Sequence, residues 1–224
     1  MRHGDVAYFG TDGQPVADLD LVALSEKGRA QADAAGRYFS SLGVARFDRV
    51  ISSSLPRTIE TAERVTAAYG QPVQPDAWEA LREMRSGHPD AISTDRLSVG
   101  LLAMTHTSVA LEERFLGGES VAELQNRIVP ALNTLRADPD WDTALLVLHG
   151  LVNGALISHA LTGGKAHLGR LEQQPGCINV LDVGEHHDDW VVRAINVCPD
   201  LSAYQSTRLL TVEHMLDQVL RSRR

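Results

Sequence analysis

Residues 47–70, FDRVISSSLPRTIETAERVTAAYG, decide the fold class, because a short apolar run passes directly into a helical pattern. Val50 and Ile51 favour a β-strand. Pro56 suits the first turn of a helix, and Gly70 suits the position just past its last turn. A strand followed at once by a helix is the repeating unit of mainly parallel sheets. The stretch therefore predicts an α/β fold.

Segments on either side repeat this alternation. Residues 144–150, ALLVLHG, predict a strand that is apolar on both faces and therefore central. Ser25 predicts the N-cap of a helix that runs to Leu42. The predicted apolar stripe of that helix consists of Ala30, Ala34, Tyr38 and Leu42. Further helices are predicted at 120–137, 151–161 and 206–220, and two antiparallel strands at 177–183 and 190–197.

Together these elements predict a three-layer α/β sandwich with a mainly parallel central sheet and an antiparallel strand added near the end. We expect a single domain over residues 1–224. Residues 85–118 break the periodicity and contain several turn residues. A segment of that length between core elements indicates a partly helical cap insertion that covers a site.

Composition excludes several classes of protein. The chain has 224 residues and a formal net charge of −8, which argues against nucleic acid or an anionic membrane surface as a partner bound through bulk charge. Two cysteines are too few for a disulfide framework, and the sequence shows neither a signal peptide nor an apolar run long enough to span a membrane. We therefore expect a soluble cytoplasmic protein with reduced cysteines.

Three polar clusters follow predicted strands. Arg2 and His3 stand near the start, the SSSLPRT segment at 52–58 follows the strand after Phe47, and His149 follows the central strand. Ligands of open α/β sheets bind beyond the carboxyl ends of the strands, so these clusters are expected to converge. Two histidines with Arg2 and Arg57 would suit a dianion, because guanidinium groups bind phosphate oxygens in pairs. A phosphoryl group fits best.

The same residues carry a resemblance to a known family. The chain resembles the histidine phosphatase superfamily, in its phosphoglycerate-mutase-like branch 1. Four motifs carry the resemblance and two weaker ones support it, all in the family's order: RHG at 2–4, LSEKGRAQA at 24–32, SSSLPRTIETA at 52–62 and LHG at 148–150, with LREMRSG at 81–87 and GGESVAELQNR at 117–127.

The resemblance implies a metal-independent phosphatase that hydrolyses a small phosphomonoester. His3 would be the nucleophile that accepts the phosphoryl group, and Arg2 and Arg57 would bind its oxygens. His149 would donate to the same oxygens as charge develops, and Glu83 would give a proton to the leaving alkoxide. With these donors in place, the reaction would require no cofactor and no metal ion.

Other interpretations of the individual residues stay open. Arg2 and His3 would also suit a solvated chain end, His149 a buried core histidine, and Glu83 an exposed carboxylate. The EHHDD segment at 185–189 is better explained as a polar turn than as a metal site. An α/β-hydrolase would need a G-x-S-x-G motif, which the sequence lacks.

The reaction itself also has alternatives. A phosphoglycerate-type mutase would carry asparagine seven residues after His3, where Gly10 stands, and would add a tryptophan-aspartate element before the first helix that is absent here. These departures favour a phosphatase. A third alternative is a non-catalytic member that binds phosphate or protein. No property of the sequence selects the substrate or the oligomeric state.

One departure concerns the first strand. In the family, the arginine and histidine of the first motif end a buried central strand, whereas here Met1 directly precedes Arg2. We therefore expect that the true start lies upstream of Met1. A chain that begins at Met1 would leave His3 on a frayed backbone, with poor activity.

Overall fold

The computed structural model describes residues 1–8, 16, 18–87, 94–186, 188–200, 213 and 216–217. Most of the helix predicted at 206–220 lies outside these residues. The described helices are α1 (Glu26–Ser41), α2 (Pro56–Tyr69), α3 (Thr94–Ala103), α4 (Val121–Ala137) and α5 (Gly150–Thr162). The described strands are β1 (Arg49–Ser53), β2 (Asp76–Trp78), β3 (Ala144–Val147), β4 (Ile178–Val183) and β5 (Trp190–Val197). In the described part of the chain, no helix is long and apolar enough to cross a membrane.

The central sheet is parallel. Its strand order is β2-β1-β3, with Ile51 of β1 level with Asp76 on one side and Leu146 on the other. The second sheet consists of β4 and β5, which pair antiparallel around a polar turn. Successive residues of β1 serve opposite faces, because side chains alternate along a strand. Val50 packs with buried residues of α1 and α2, and Ile51 packs with those of α4 and α5. The predicted three-layer α/β class is confirmed.

Residues 1–3 join the two sheets. Their backbone runs parallel to the end of β3, where Leu148 N donates to Met1 O at 2.8 Å and His3 N donates to Leu148 O at 2.9 Å. On the other side, Arg2 N donates to the carbonyl of Cys177 and Gly176 N donates to that of His3, both at 3.0 Å. The expectation of a frayed backbone at His3 is wrong, because residues 1–3 form backbone hydrogen bonds with Leu148 on one side and with Gly176 and Cys177 on the other.

Helix α1 fixes the same segment by close backbone contact. Gly4 and Gly28 face each other so closely that a Cβ on Gly4 would lie 2.3 Å from the Gly28 carbonyl oxygen. A Cβ on Gly28 would lie 2.1 Å from the backbone carbonyl oxygen of Asp5. Side chains are excluded at both positions. The predicted N-cap is confirmed, because Ser25 Oγ accepts from Gly28 N, and it also donates to the Asp5 carboxylate at 2.7 Å.

The two ends of the predicted insertion at 85–118 lie next to each other. Glu119 N donates to Arg85 O at 2.8 Å, and Arg85 N donates to a Glu119 carboxylate oxygen at 3.0 Å. Between these ends the structure describes α3 and a 3-10 turn at Phe115–Gly117, and residues 88–93 lie outside the described part. The adjacent ends suit an insertion, and its role as a cap stays a prediction.

Candidate active site

Two histidines that are 146 positions apart meet at the carboxyl end of the parallel sheet. His3 follows the segment beside β3, and His149 follows β3 itself and precedes α5. Their ring centroids are 5.2 Å apart and the rings are inclined by 65°. Both side chains are buried, with exposed fractions of 2% and 0%. The predicted convergence of these two residues is therefore present in the fold.

His3 has a defined tautomer. Its Nδ1 lies 2.7 Å from the carbonyl oxygen of Gly4, which can only accept, so Nδ1 carries the proton and Nε2 carries a lone pair. Burial lowers the pKa of His3 well below its ordinary value, and the positive charges of Arg2 and Arg57 lower it further, against the opposing effect of the bond to Gly4. The ring is neutral at neutral pH, which is the state of a nucleophile.

Arg2 and Arg57 are buried cations without a carboxylate partner among the described residues. Arg2 Nη1 donates to the carbonyl of Gln173 at 2.5 Å, and Arg57 Nη1 donates to that of Leu19 at 2.9 Å. The Nε atom of each guanidinium is buried and has no hydrogen-bond partner within the described chain. Buried charges are normally paired, so this arrangement indicates a site that an anion completes.

His149 presents a further unpaired nitrogen. Its Nε2 is 2.7 Å from Ser53 Oγ, whereas its buried Nδ1 has no partner in the described part of the chain. Burial lowers the pKa of His149 well below its ordinary value, and electrostatic interactions with His3, Arg57, Arg2 and Arg127 lower it further. The Arg2 guanidinium lies beside Gly150, the first residue of α5, since a Cβ added there would be 3.6 Å from Cζ of Arg2. The positive end of that helix adds to the attraction for an anion.

Glu83 reaches the start of α5 from the segment after β2. Its carboxylate accepts from Leu151 N at 3.5 Å and from Met84 N at 2.9 Å. The carboxyl group therefore lies next to the turn that carries His149. All five predicted site residues belong to this one region: Arg2, His3, Arg57, Glu83 and His149. Their roles in catalysis stay predictions.

Arg127 on α4 holds the Glu83 segment and was not predicted. Its guanidinium donates to the carbonyls of Ala80, Arg82 and Glu83 at 2.7 to 3.1 Å. It also forms a paired contact with the buried carboxylate of Glu119 at 2.7 and 2.9 Å. Burial alone would raise the pKa of Glu119, but the bonds and charges of Arg127 and Arg85 outweigh it and lower that pKa. The GGESVAELQNR motif contains both Glu119 and Arg127, but nothing in the sequence indicates that the two side chains pair.

Ser53, Thr58 and Thr61 were also missed as individual residues, although the SSSLPRTIETA motif contains them. Thr61 Oγ1 accepts from Gly4 N at 3.1 Å, and Ser53 contacts both Thr58 and His149.

The described residues contain no group of three or more His, Cys, Asp and Glu side chains that could hold a metal ion. His187 of the polar turn lies outside the described residues.

Comparison with solved structures identifies the fold. The mycobacterial glucosyl-3-phosphoglycerate phosphatase in complex with VO3 superposes with a TM-score of 0.70 at 24% sequence identity, over 88% of this chain and 96% of that one. The α-ribazole phosphatase of Shigella flexneri gives a TM-score of 0.65 at 21% identity, over 88% and 94% of the two chains. At these identities the likeness concerns the fold.

Sequence comparison identifies the family. The "Probable phosphoglycerate mutase GpmB" of Erwinia tasmaniensis is 31% identical over 213 residues, which are 93% of this chain and 95% of the relative. The protein of the same name from Salmonella paratyphi A is 35% identical over 164 residues, or 72% and 73% of the two chains. The sequence model of the histidine phosphatase superfamily, branch 1, matches residues 1–197. This chain is therefore a member of branch 1 of the histidine phosphatase superfamily.

Proposed function

We propose that the protein hydrolyses a small phosphomonoester through a phosphohistidine on His3. One observation carries the proposal. The buried, neutral ring of His3 carries its lone pair on Nε2, packs against the ring of His149 and feels the charges of Arg2 and Arg57. Each of these three neighbours has one buried nitrogen without a partner in the described chain, namely Nε of Arg2, Nε of Arg57 and Nδ1 of His149. A tetrahedral dianion would accept from both guanidinium nitrogens, and from Nδ1 of His149 once that nitrogen carries a proton, with its phosphorus in front of Nε2 of His3.

The reaction takes place in two displacements. His3 Nε2 attacks phosphorus, the bond to the ester oxygen breaks, and that oxygen takes a proton from Glu83. In the second step Glu83 removes a proton from water, the hydroxide oxygen attacks phosphorus, and the bond to Nε2 breaks. Each step has a lower barrier than direct attack by water. The protein contributes mainly position and positive charge opposite the equatorial oxygens, the part we assign to Arg2, Arg57 and His149.

The substrate is expected to be small. The net charge of −8 opposes a polyanionic partner, and the cations of the site belong to one buried cluster rather than to an extended surface. The mutase alternative is favoured by the names of the curated relatives, and the phosphatase by those of the structural neighbours. The position that distinguishes mutases, Gly10, lies outside the described residues.

A labelled-substrate assay separates the two reactions. We expect 2-phosphoglycerate carrying 32P, supplied together with a bisphosphoglycerate primer, to yield labelled inorganic phosphate and no labelled 3-phosphoglycerate. The reason is that we assign the second displacement to water. Formation of the isomer faster than free phosphate would establish the mutase instead. Release of neither product from this compound or from a panel of alkyl and aryl phosphates would support a non-catalytic, phosphate-binding member.

The assignment of Glu83 predicts a dependence on the leaving group. In the Glu83→Gln variant we expect kcat/KM for glycerol 2-phosphate to fall by about 10² to 10⁴, because an alkoxide must be protonated as it leaves. For p-nitrophenyl phosphate we expect little change in kcat/KM, because nitrophenolate departs without a proton. Steady-state assays on both substrates provide the measurement.

Glu79→Gln is the matched control for this prediction. Glu79 stands four positions before Glu83, and its exposed carboxylate contacts Arg82. We expect both substrates to be turned over by this variant at the wild-type rate. An equal loss on both substrates in Glu83→Gln would show that Glu83 supports the fold of the site and does not act as the proton donor.

A further inference from the structure

His149 belongs to a short chain of hydrogen bonds in the interior. Its Nε2 lies 2.7 Å from Ser53 Oγ, and that oxygen lies 2.8 Å from Thr58 Oγ1. Ser53 Oγ also accepts from Leu55 N at 3.3 Å. All three side chains of the chain have an exposed fraction of 0%. Since these side chains are shielded from bulk solvent, the neighbouring protein groups determine where each proton lies.

Two carbonyl groups fix the direction of this chain. Thr58 Oγ1 lies 2.8 Å from Leu55 O and 3.0 Å from Ser53 O. A carbonyl oxygen can only accept, so the single hydroxyl proton of Thr58 points toward these oxygens. If Ser53 instead donated to His149, no proton would lie between Ser53 Oγ and Thr58 Oγ1, which are 2.8 Å apart. Ser53 therefore donates to Thr58 Oγ1 and accepts from His149. The neutral ring of His149 carries its proton on Nε2.

The other nitrogen of His149 is then an acceptor. Nδ1 is buried and has no partner in the described chain. Charged and titratable groups act on the ring from three parts of the fold: Arg2 and His3 in the first segment, Arg57 on α2 and Arg127 on α4. The Glu83 carboxylate, after β2, accepts from Leu151 N, two positions after His149. Burial and the positive neighbours keep the ring neutral at neutral pH. A lone pair on Nδ1 and the oxygens of a phosphoryl dianion are all acceptors and cannot form a hydrogen bond.

We propose that binding of a phosphoryl dianion is coupled to uptake of one proton, which lies between His149 Nδ1 and a phosphoryl oxygen, and that Ser53 and Thr58 are positioning residues that set this requirement. The inference rests on the proposed function, because it assigns His149 to the phosphoryl site. The proton comes from solvent, and the bound dianion stabilises the imidazolium that results. Affinity for dianions should therefore fall with rising pH.

Nitrogen-15 NMR of the histidine-labelled protein tests the inference directly. Sulfate is the probe, because it stays a dianion throughout the neutral range and brings no proton. Without sulfate we expect His149, assigned by loss of its signals in His149→Ala, to show a protonated Nε2 and an unprotonated Nδ1. With saturating sulfate we expect both nitrogens to be protonated. In a His3→Ala background, the Kd for sulfate should rise about tenfold per pH unit in the range where free His149 is neutral.

Two variants separate this role from simple support of the fold. In Thr58→Val the Ser53 hydroxyl loses its acceptor and is free to donate to Nε2, so the neutral proton of His149 should move to Nδ1. Sulfate should then bind with a nearly flat pH dependence. Ser53→Ala should also weaken the pH dependence, because it no longer fixes the tautomer. Thr66→Val is the control, since Thr66 is equally buried on α2 and its hydroxyl donates to Ala62 O.

The possible outcomes are distinct. Sulfate that perturbs both His3 and His149 and leaves His149 neutral would overturn the inference while the proposed function stands. A proton on Nδ1 of His149 in the sulfate-free wild type would also overturn it. Sulfate that perturbs neither histidine would remove the anion site on which both the inference and the proposed function rest. The predicted double protonation, lost in Thr58→Val and kept in Thr66→Val, would establish it.

Discussion

Replacement of His3 by alanine is expected to lower kcat/KM for phosphomonoester hydrolysis by at least about 10⁴-fold. The reason is that His3 Nε2 is the group we assign to attack phosphorus, and burial together with Arg2 and Arg57 keeps that nitrogen unprotonated. Without it, water would have to attack phosphorus directly. Phosphate release from p-nitrophenyl phosphate, followed with wild type and variant at equal concentration, provides the measurement.

Two controls accompany the His3 variant. His186→Ala removes an exposed histidine from the turn between β4 and β5, and we expect full activity. Sulfate binding to His3→Ala shows whether the anion site survives, because both arginines and His149 remain. Near-normal activity of a folded His3→Ala protein would refute the assignment of the nucleophile. If His3→Ala neither folds nor binds sulfate, the same assays are made on His3→Gln, whose side chain fills more of the space that the imidazole occupies.

Replacement of Arg57 by methionine is expected to have opposite effects on activity and stability. We expect kcat/KM to fall by about 10³-fold or more, as when a guanidinium that stabilises transferring phosphoryl oxygens is lost. We also expect the free energy of unfolding to rise by about 1 kcal/mol, because a buried cation with an unpaired Nε is replaced by an apolar chain of similar length. Hydrolysis assays and urea unfolding measure the two quantities.

Arg64→Met is the matched control, on the same helix. Arg64 lies two turns further along α2, is more than one third exposed, and pairs with Asp33 of α1 at 2.6 Å. We expect its loss to leave hydrolysis unchanged and to reduce the free energy of unfolding by less than about 1 kcal/mol. If Arg57→Met were instead strongly destabilised and retained activity, Arg57 would be a structural residue and the phosphate-binding role would be excluded.

Local chemical signals predicted the ends of the elements well. Ser25 caps α1, Pro56 begins α2 and Gly70 follows it in the left-handed conformation, with φ of 98°. The helix predicted at 120–137 is also present, as α4, and a capping box at Ser120 and Glu123 begins it. These signals can be recognised from sequence because a cap depends on residues that are neighbours in the chain.

The buried face of α1 was predicted wrongly. The predicted stripe contained Ala30 and Leu42, yet Ala30 is exposed and Leu42 has an exposed fraction of 56%. The buried face consists of Gly28, Gln31, Ala32, Ala35, Gly36 and Phe39. Two of these positions are glycines that contact backbone, at Asp5 and at Val65. Hydrophobic periodicity gives no weight to a glycine, so close backbone packing escapes it.

In the site, too, some features could be predicted from the sequence and others could not. His3, His149 and Arg57 were predicted to converge because the carboxyl ends of parallel strands meet at one edge of the sheet. The partner of His149 could not be predicted, since Ser53 lies 96 positions away and the two contact only through the register of β1 beside β3. The same holds for Arg127, whose three carbonyl partners lie 44 to 47 positions before it.

Trapping of the covalent intermediate tests the central claim most directly. The protein is mixed with 32P-labelled substrate, quenched within milliseconds in alkaline denaturant, where phosphohistidine survives, and digested for mass spectrometry. We expect the label on the peptide that contains His3, formed and lost at rates consistent with turnover, and absent in His3→Ala. Label on a different residue, or full turnover with no labelled peptide, would contradict the account.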